Sequence, residues 1–189
     1  MIGSVLLAAA LAALVYGVLL YNGLVQVKHN VAKAWANIDV LLKQRHDELP
    51  KLVETCRQYM KYEQETLERV MQARARVSAA REAHDVGALG RAEGELRGGL
   101  AALFAVAEAY PELKASEAFR HLQARISELE NAIADRREFY NESVNVNNVR
   151  IEQFPAVIIA RLFGFGPFEP LQFSVAEKQD VDLKELFKA

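Results

Sequence analysis

The chain has 189 residues, enough for one membrane anchor and one domain, and its formal net charge of −2 excludes a strongly basic nucleic-acid binder. The single cysteine, Cys56, excludes an intrachain disulfide framework and suits a reducing compartment. Only 5 prolines and 10 glycines occur, and Ala, Leu, Glu and Arg dominate the middle, so the balance favours helix over sheet.

Residues 2–27 carry no charged side chain, and residues 2–20 are almost wholly apolar. At about 1.5 Å per helical residue, that run just covers a hydrocarbon core of about 30 Å. It predicts a retained, single-pass anchor built on Ile2, Leu6, Leu7, Leu11, Leu14, Val15, Val18, Leu19 and Leu20. A cleaved signal peptide wants a positively charged start and a small-x-small cleavage site. Here no Lys or Arg precedes the run, and Tyr21-Asn22-Gly23-Leu24-Val25 leads straight into helical sequence. Tyr16 and Tyr21 suit the membrane–water boundary. Lys28, Lys33, Lys43 and Arg45 all lie downstream of the span, which directs the body to the cytoplasm and the N-terminus outside. Ala9, Ala13 and Gly17 form a small-xxx-small ladder, which either lets two spans approach or merely reflects an Ala-rich helix.

From Val27 to Val77 apolar residues recur in steps of three and four, the pattern of one face of a long amphipathic helix. Arg45, Glu63 and Arg74 interrupt it, and Cys56 lies on the apolar stripe as a small buried hydrophobe. Pro50 lacks an N–H and its ring crowds the carbonyl of His46, so the helix either kinks there or ends. No Gly, Asn or Ser surrounds Pro50, which favours a kinked rod from Tyr21 to about Ala80, reaching roughly 90 Å.

Residues 83–87 read as a connection with Asp85 as the N-cap of a second helix. That helix carries a heptad of Leu89, Leu96, Leu103 and Tyr110, with Ala92/Glu93, Leu100 and Ala107 at the other position. Gly90, Gly94, Gly98 and Gly99 either admit a close neighbour or mark a soft helix, and Tyr110-Pro111 ends it. Ser116 offers the N-cap of a third helix that buries Phe119, Leu122, Ile126, Leu129, Ile133, Tyr140 and Val144 and runs to about Val149. A shorter fourth helix over 151–163 sets Phe154, Val157, Ile158 and Leu162 on one side, with Pro155 in its first turn. Asn22, Asn141, Asn145, Asn147 and Asn148 read as capping and fraying residues, or else as register-fixing hydrogen bonders.

The predicted fold is therefore all-α: an N-terminal transmembrane helix continuing into an up-and-down, three- to four-helix bundle with a long kinked first helix. Its divisions are an anchor over 1–21, a bundle over 22–163, and an aromatic and charged tail over 164–189. The tail is punctuated by Gly164, Gly166, Pro167 and Pro170 and cannot be regular helix. Its aromatics, with Phe154, make a candidate interaction face of Phe154, Phe163, Phe165, Phe168 and Phe173. These rings either cap the bundle core or form a patch for a partner, a sister subunit or the membrane interface. Residues 175–189, mixed in charge, read as loosely held.

A search for chemistry is negative. His29, His46, His84 and His121 stand far apart, and none belongs to a His-Glu-x-x-His or Glu-x-x-His pattern. Gly164-Phe165-Gly166-Pro167 lacks the following Lys, Ser or Thr of a phosphate loop. No catalytic, cofactor-binding or metal-ligating residue is assigned, and no cofactor is expected.

Several motifs together carry a resemblance. Tyr21-Asn22-x-Leu24-Val25, Val31-x-x-Ala34-Trp35-x-x-Ile38-Asp39-Val40-x-Leu42 and Arg45-His46-Asp47-x-x-Pro50-x-Leu52-Val53-Glu54 make the first group. Tyr140-Asn141, Phe154-Pro155-x-x-Ile158-Ile159-Ala160 and Phe163-Gly164-Phe165 make the second. With these motifs the chain resembles the LemA family over nearly its whole length after the anchor. The glycine-rich second helix and Pro167-Phe168-Glu169-Pro170 depart from that pattern. The resemblance implies a bacterial inner-membrane protein with one N-terminal span, a cytoplasmic four-helix domain and no accepted enzymatic activity. Its relatives are associated with envelope stress and membrane-organelle formation. The family's recurring residues, here Asn22, Trp35, Ile38, Asp39, Arg45, Asp47, Pro50 and Phe154, are either structural or a binding face.

The expected function is a membrane-anchored, non-enzymatic scaffold that self-associates as a homo-oligomer and organises the bacterial inner membrane or proteins on it. The alternative is a monomeric adaptor for a membrane-bound protease or an envelope-stress signalling partner. The expected partners are the lipid bilayer, further copies of the chain and a protein, with no nucleic acid.

Overall fold

A computed structural model describes residues 2–173. The expectation for residues 175–189 lies outside the described residues. The fold is all-α, with a long first helix and bundle packing, as the sequence predicts. The helices are α1 (Ile2–Arg57), α2 (Gln64–Glu82), α3 (Val86–Ala107), α4 (Pro111–Ala115), α5 (Glu117–Glu152) and α6 (Ala156–Phe163). The described residues divide into two compact units, one of 2–38 with 136–170 and one of 39–135 with 171–173.

In the first unit, α1 begins bare. Every large apolar side chain from Ile2 to Leu19 is at least half exposed. Burial starts at Leu20, which is 9% exposed and forms a core with Leu24, Ile151, Ala156 and Ala160. Leu20 is thus packed in a core, whereas the residues before it that the sequence grouped with it are bare. Farther along, Val31, Ala34 and Ile38 are buried, and Trp35 packs against Tyr140 of α5 with ring centroids 5.5 Å apart.

The second unit joins the C-terminal part of α1 to α2, α3, α4 and the first half of α5. Leu42, Leu49, Leu52, Val53 and Cys56 continue the stripe of α1, and α2 packs along α3. Cys56 has no exposure, and burial pushes its thiol up to about 12, so it is an inert core residue. Gly99 faces Val70, and Gly90 sits so close to the Gln172 carbonyl that an added Cβ would lie 1.9 Å from its oxygen. These two glycines of the heptad therefore admit neighbours, whereas Gly98 has open space.

The long rod is corrected in one respect. α1 passes through Pro50 but ends at Arg57, and α2 starts only at Gln64. Tyr59 and Met60 both donate N–H bonds back to the Cys56 carbonyl, closing a turn that buries Met60 completely. No glycine or proline lies in residues 58–63, so tertiary burial on both sides of the turn, at Met60 and Leu67, opposes the local preference for helix.

Pro50 is tolerated for an identifiable reason. Its missing N–H would have bonded to the His46 carbonyl. Arg74 of α2 supplies the substitute, with Nε donating to that carbonyl at 2.9 Å and Nη2 reaching His46 Nε2 at 2.6 Å. Partial burial and the Arg74 charge lower the His46 pKa below its ordinary 6.5, keeping the ring a neutral acceptor. The connection after α2 follows the sequence reading: His84 takes a left-handed φ of 55°, and Asp85 Oδ1 accepts the Ala88 N–H at 2.7 Å. Ser116 is a long cap, with its Oγ 3.4 Å from Phe119 N.

The fourth predicted helix is shorter than expected. α5 continues to Glu152, a cis Phe154-Pro155 peptide follows, and α6 starts at Ala156 with Pro155 as its N-cap. The buried side of α6 is alanine, not the large apolar residues.

Arg74→Met should cost about 1 kcal/mol in urea unfolding, the usual worth of one such hydrogen bond. In a Pro50→Ala background the cost should shrink, because the Ala N–H reclaims the His46 carbonyl. Equal costs in the two backgrounds would remove the coupling.

Candidate functional sites at the aromatic collar and the buried ion cluster

The collar belongs to the first unit. Tyr21 of α1 meets Phe163 edge-on at 4.9 Å between centroids and Phe165 at 5.7 Å. Gly164 closes α6 in the left-handed conformation, φ 70°, and the Phe165 N–H bonds back to the Ala160 carbonyl at 2.9 Å. Lys28 Nζ stands 6.0 Å from the centre of the Phe165 ring.

Three polar side chains of α5 hold the non-helical segment that follows. Asn148 pairs with both backbone groups of Phe168: its Nδ2 donates to the carbonyl and its Oδ1 accepts the N–H, each at 2.9 Å. Asn147 Nδ2 donates to the Gly166 carbonyl at 3.3 Å, and Tyr140 Oη donates to the Glu169 carbonyl at 3.0 Å. Chain after a helix must find hydrogen-bond partners, and side-chain amides supply both a donor and an acceptor. Asn147 and Asn148 therefore clamp the tail and do not cap or fray a helix.

Of the five candidate face residues, Phe163 and Phe165 meet at Tyr21. Phe154 and Phe163 are exposed, Phe165 and Phe168 are half-buried, and Phe173 is 3% exposed in the other unit. There Arg97 stands over the Phe173 ring, its guanidinium carbon 5.8 Å from the centroid. Ile158 and Leu162 of α6, like Phe154, are well exposed. The recurring family residues divide likewise. Ile38 is core, Trp35 packs on Tyr140, Arg45 and Pro50 have the partners described here, and Asp39 lies 3.6 Å from Arg81. Phe154 points outward.

Sequence reading missed the ion cluster of the second unit. Arg45 is 1% exposed and bonds through Nη2 to Glu93 Oε1 and through Nη1 to Glu130 Oε1. Arg97 Nε lies 3.5 Å from Glu130 Oε2. The available sequence signals were a charge interrupting the α1 stripe and Glu93 at a heptad position. Burial opposes the Arg45 charge, but Glu93 and Glu130 outweigh it and raise its pKa. For Glu93, burial is the largest effect and, with Glu130 beside it, exceeds the pull of Arg45 and Arg97, so its carboxyl is raised above 4.5. Arg45 Nε and Glu93 Oε2 have no hydrogen-bond partner among the described residues. Such a cluster orders the helices it joins more than it stabilises them, since desolvation offsets much of the attraction.

Among the described residues no three His, Cys, Asp or Glu side chains group as a metal site. An open groove of about 350 Å³ between α2 and α3 is lined mainly by alanines, with Arg76 and Glu95 paired at 2.5 Å.

Arg45→Met should destabilise the protein by about 3–5 kcal/mol by leaving Glu93 buried without its partner, and adding Glu93→Gln should restore much of that loss. A carboxyl whose pKa rises on folding holds its proton more tightly when folded. Its contribution to stability therefore falls as pH climbs from about 4.5 through the raised value. Urea unfolding across that range should show a downward slope in the native chain that Glu93→Gln removes.

Comparison with known proteins agrees with the motifs. The LemA family model matches residues 34–184. Magnetosome protein MamQ 2 of Paramagnetospirillum magneticum is 31% identical over 97 residues, which are 51% of this chain and 36% of that protein. Magnetosome protein MamQ of Magnetospirillum gryphiswaldense is 31% identical over 78 residues, covering 41% of this chain and 29% of its own length. Protein LemA of Metamycoplasma hominis is 28% identical over 170 residues, 87% of this chain and 74% of that protein. The matches span only about a third of the MamQ chains. The family match extends over most of this chain, including α5, α6 and the ion cluster, and the chain belongs to the LemA family.

Proposed function

We propose that the protein is a single-pass, membrane-anchored, non-catalytic helical scaffold of the bacterial inner membrane that self-associates and organises the bilayer or proteins on it. The observation that carries this reading is the bare start of α1. An 18-residue window in this helix is apolar enough to cross a membrane, and none of that window is buried within the chain. A core helix of a soluble domain would have its apolar side chains covered. A helix also satisfies its own backbone hydrogen bonds, the requirement for a segment surrounded by lipid.

Orientation rests on the lysines and Arg45 after the span, which favour a cytoplasmic body and an outside N-terminus. Self-association is supported by the Ala9, Ala13 and Gly17 ladder, which lies on the bare helix, where a Cβ added at Gly17 would meet no other part of the chain within 4 Å. The match to proteins named for the magnetosome supports a role at a membrane-bounded structure. The polar clusters serve packing: the Arg45 cluster joins helices and the asparagine clamp holds the tail.

In bacterial cells the full chain should remain in the membrane pellet after alkaline washing, and deletion of residues 2–19 should release it. A Tyr62→Cys thiol should resist membrane-impermeant maleimide until the cells are opened. In lipid discs the mass should be that of two or more copies. A strictly monomeric particle would overturn self-association, and a released full-length chain would overturn the anchor.

A further inference from the structure

The outward side of α6 is the reverse of what a water-facing helix presents. Ala156 and Ala160 are turned inward onto Leu20, Leu24 and Ile151. Phe154 is 81% exposed and Leu162 73%, and Ile158 and Phe163 are more than half exposed. Ile158 and Leu162 stand four apart on α6 and so line one side of it, and Phe154 is exposed two residues before the helix starts. Full burial of each such side chain is worth about 1.5–3 kcal/mol, so a contiguous face of this kind marks a contact with membrane or protein.

Its position selects between them. α6 packs on α1 at Leu20, immediately after the last bare residue of the apolar run, Leu19. The exposed face therefore starts where the proposed span leaves the hydrocarbon. Tyr21, Phe163 and Phe165 form an aromatic collar at that level, the place where such rings are favoured at a bilayer surface. Arg161, exposed in the last turn of α6, and Lys28 beside Phe165 add cations suited to headgroup phosphates.

We propose that α6 lies in the interfacial layer of the bilayer that α1 crosses, with Phe154, Ile158, Leu162 and Phe163 embedded among headgroups and upper acyl chains. The proposal rests on reading α1 as a membrane span. It adds a second, lateral attachment, which fixes the rotation of α1 about its own axis as a lone span does not. The occupant of this face is lipid, not another copy of the chain and not a protein ligand.

The test uses the full chain with Cys56→Ala and one introduced thiol carrying an environment-sensitive nitrobenzoxadiazole dye, reconstituted in phosphatidylcholine–phosphatidylglycerol vesicles. The thiol is placed by Leu162→Cys or, independently, by Ile158→Cys. Leu14→Cys in the span and Tyr62→Cys, at a fully exposed residue, serve as references. Circular dichroism confirms that each variant keeps its helix content. Lipids spin-labelled near the headgroup should quench the Leu162→Cys and Ile158→Cys probes at least about twofold more than the Tyr62→Cys probe, as interfacial burial requires. Lipids labelled deep in the chain should quench the Leu14→Cys probe most.

If the Leu14→Cys probe is quenched and both α6 probes behave like the Tyr62→Cys probe, the inference falls and the anchor stands. If the Leu14→Cys probe is not quenched either, the anchor reading falls and takes the inference with it. If the α6 probes are shielded from labelled lipid in proportion to protein density, another copy covers the face and the inference is overturned.

Discussion

One helix changes from bare to packed along its length, and the step at Leu19 and Leu20 organises the first unit. Before that step every large side chain of α1 is bare; after it they turn toward a core. A continuous helix can make this change without breaking a backbone hydrogen bond, because its polar groups are paired within the segment whatever surrounds it. The neighbours of Leu20 follow from the change. Alanines on α6 permit close approach, aromatic rings gather at Tyr21, and Gly164 ends α6 so that the chain can turn back along α5. The asparagine pair then supplies the partners that this non-helical segment lacks.

The second unit makes use of buried polarity. Arg45 is buried on the apolar stripe of α1 and draws Glu93 of α3 and Glu130 of α5 to one point. Isolated charges of this kind would be expelled, so the three groups specify one another's positions. Arg74 repairs the backbone gap made by Pro50, and His46 stays neutral to accept its second bond. A helix interruption that would ordinarily cost about 3 kcal/mol or more is thus tied to a specific neighbour on α2. Both devices hold helices of the second unit in place.

The legible part of the chain was the part governed by local periodicity. The apolar run, the stripe of α1 from Val31 to Cys56, the Asp85 cap and the core of α5 all repeat at helical spacing or use a side chain within three residues of its partner. Leu122 is the exception on α5, being half-buried. The turn at residues 58–63 was illegible because it has no glycine or proline and depends on burying Met60. The separate placements of the five phenylalanines were not legible, because composition groups them only by nearness in sequence. The fold instead puts Phe173 into one core, clamps Phe168 by its backbone and turns Phe154 outward.

From sequence alone came the helical class, the apolar start, the family motifs and the lack of recognisable catalytic patterns, since each is written in residue type and short spacing. Only the tertiary structure decided that Arg45 has two carboxylate partners, that Arg74 completes the helix at Pro50, and that α6 shows its large residues to the outside. Those outcomes join residues 28 to 85 positions apart or depend on which side of a short helix finds a core. Periodicity can say that α6 has an apolar side; whether that side meets protein or the surroundings is settled by what the rest of the chain leaves uncovered.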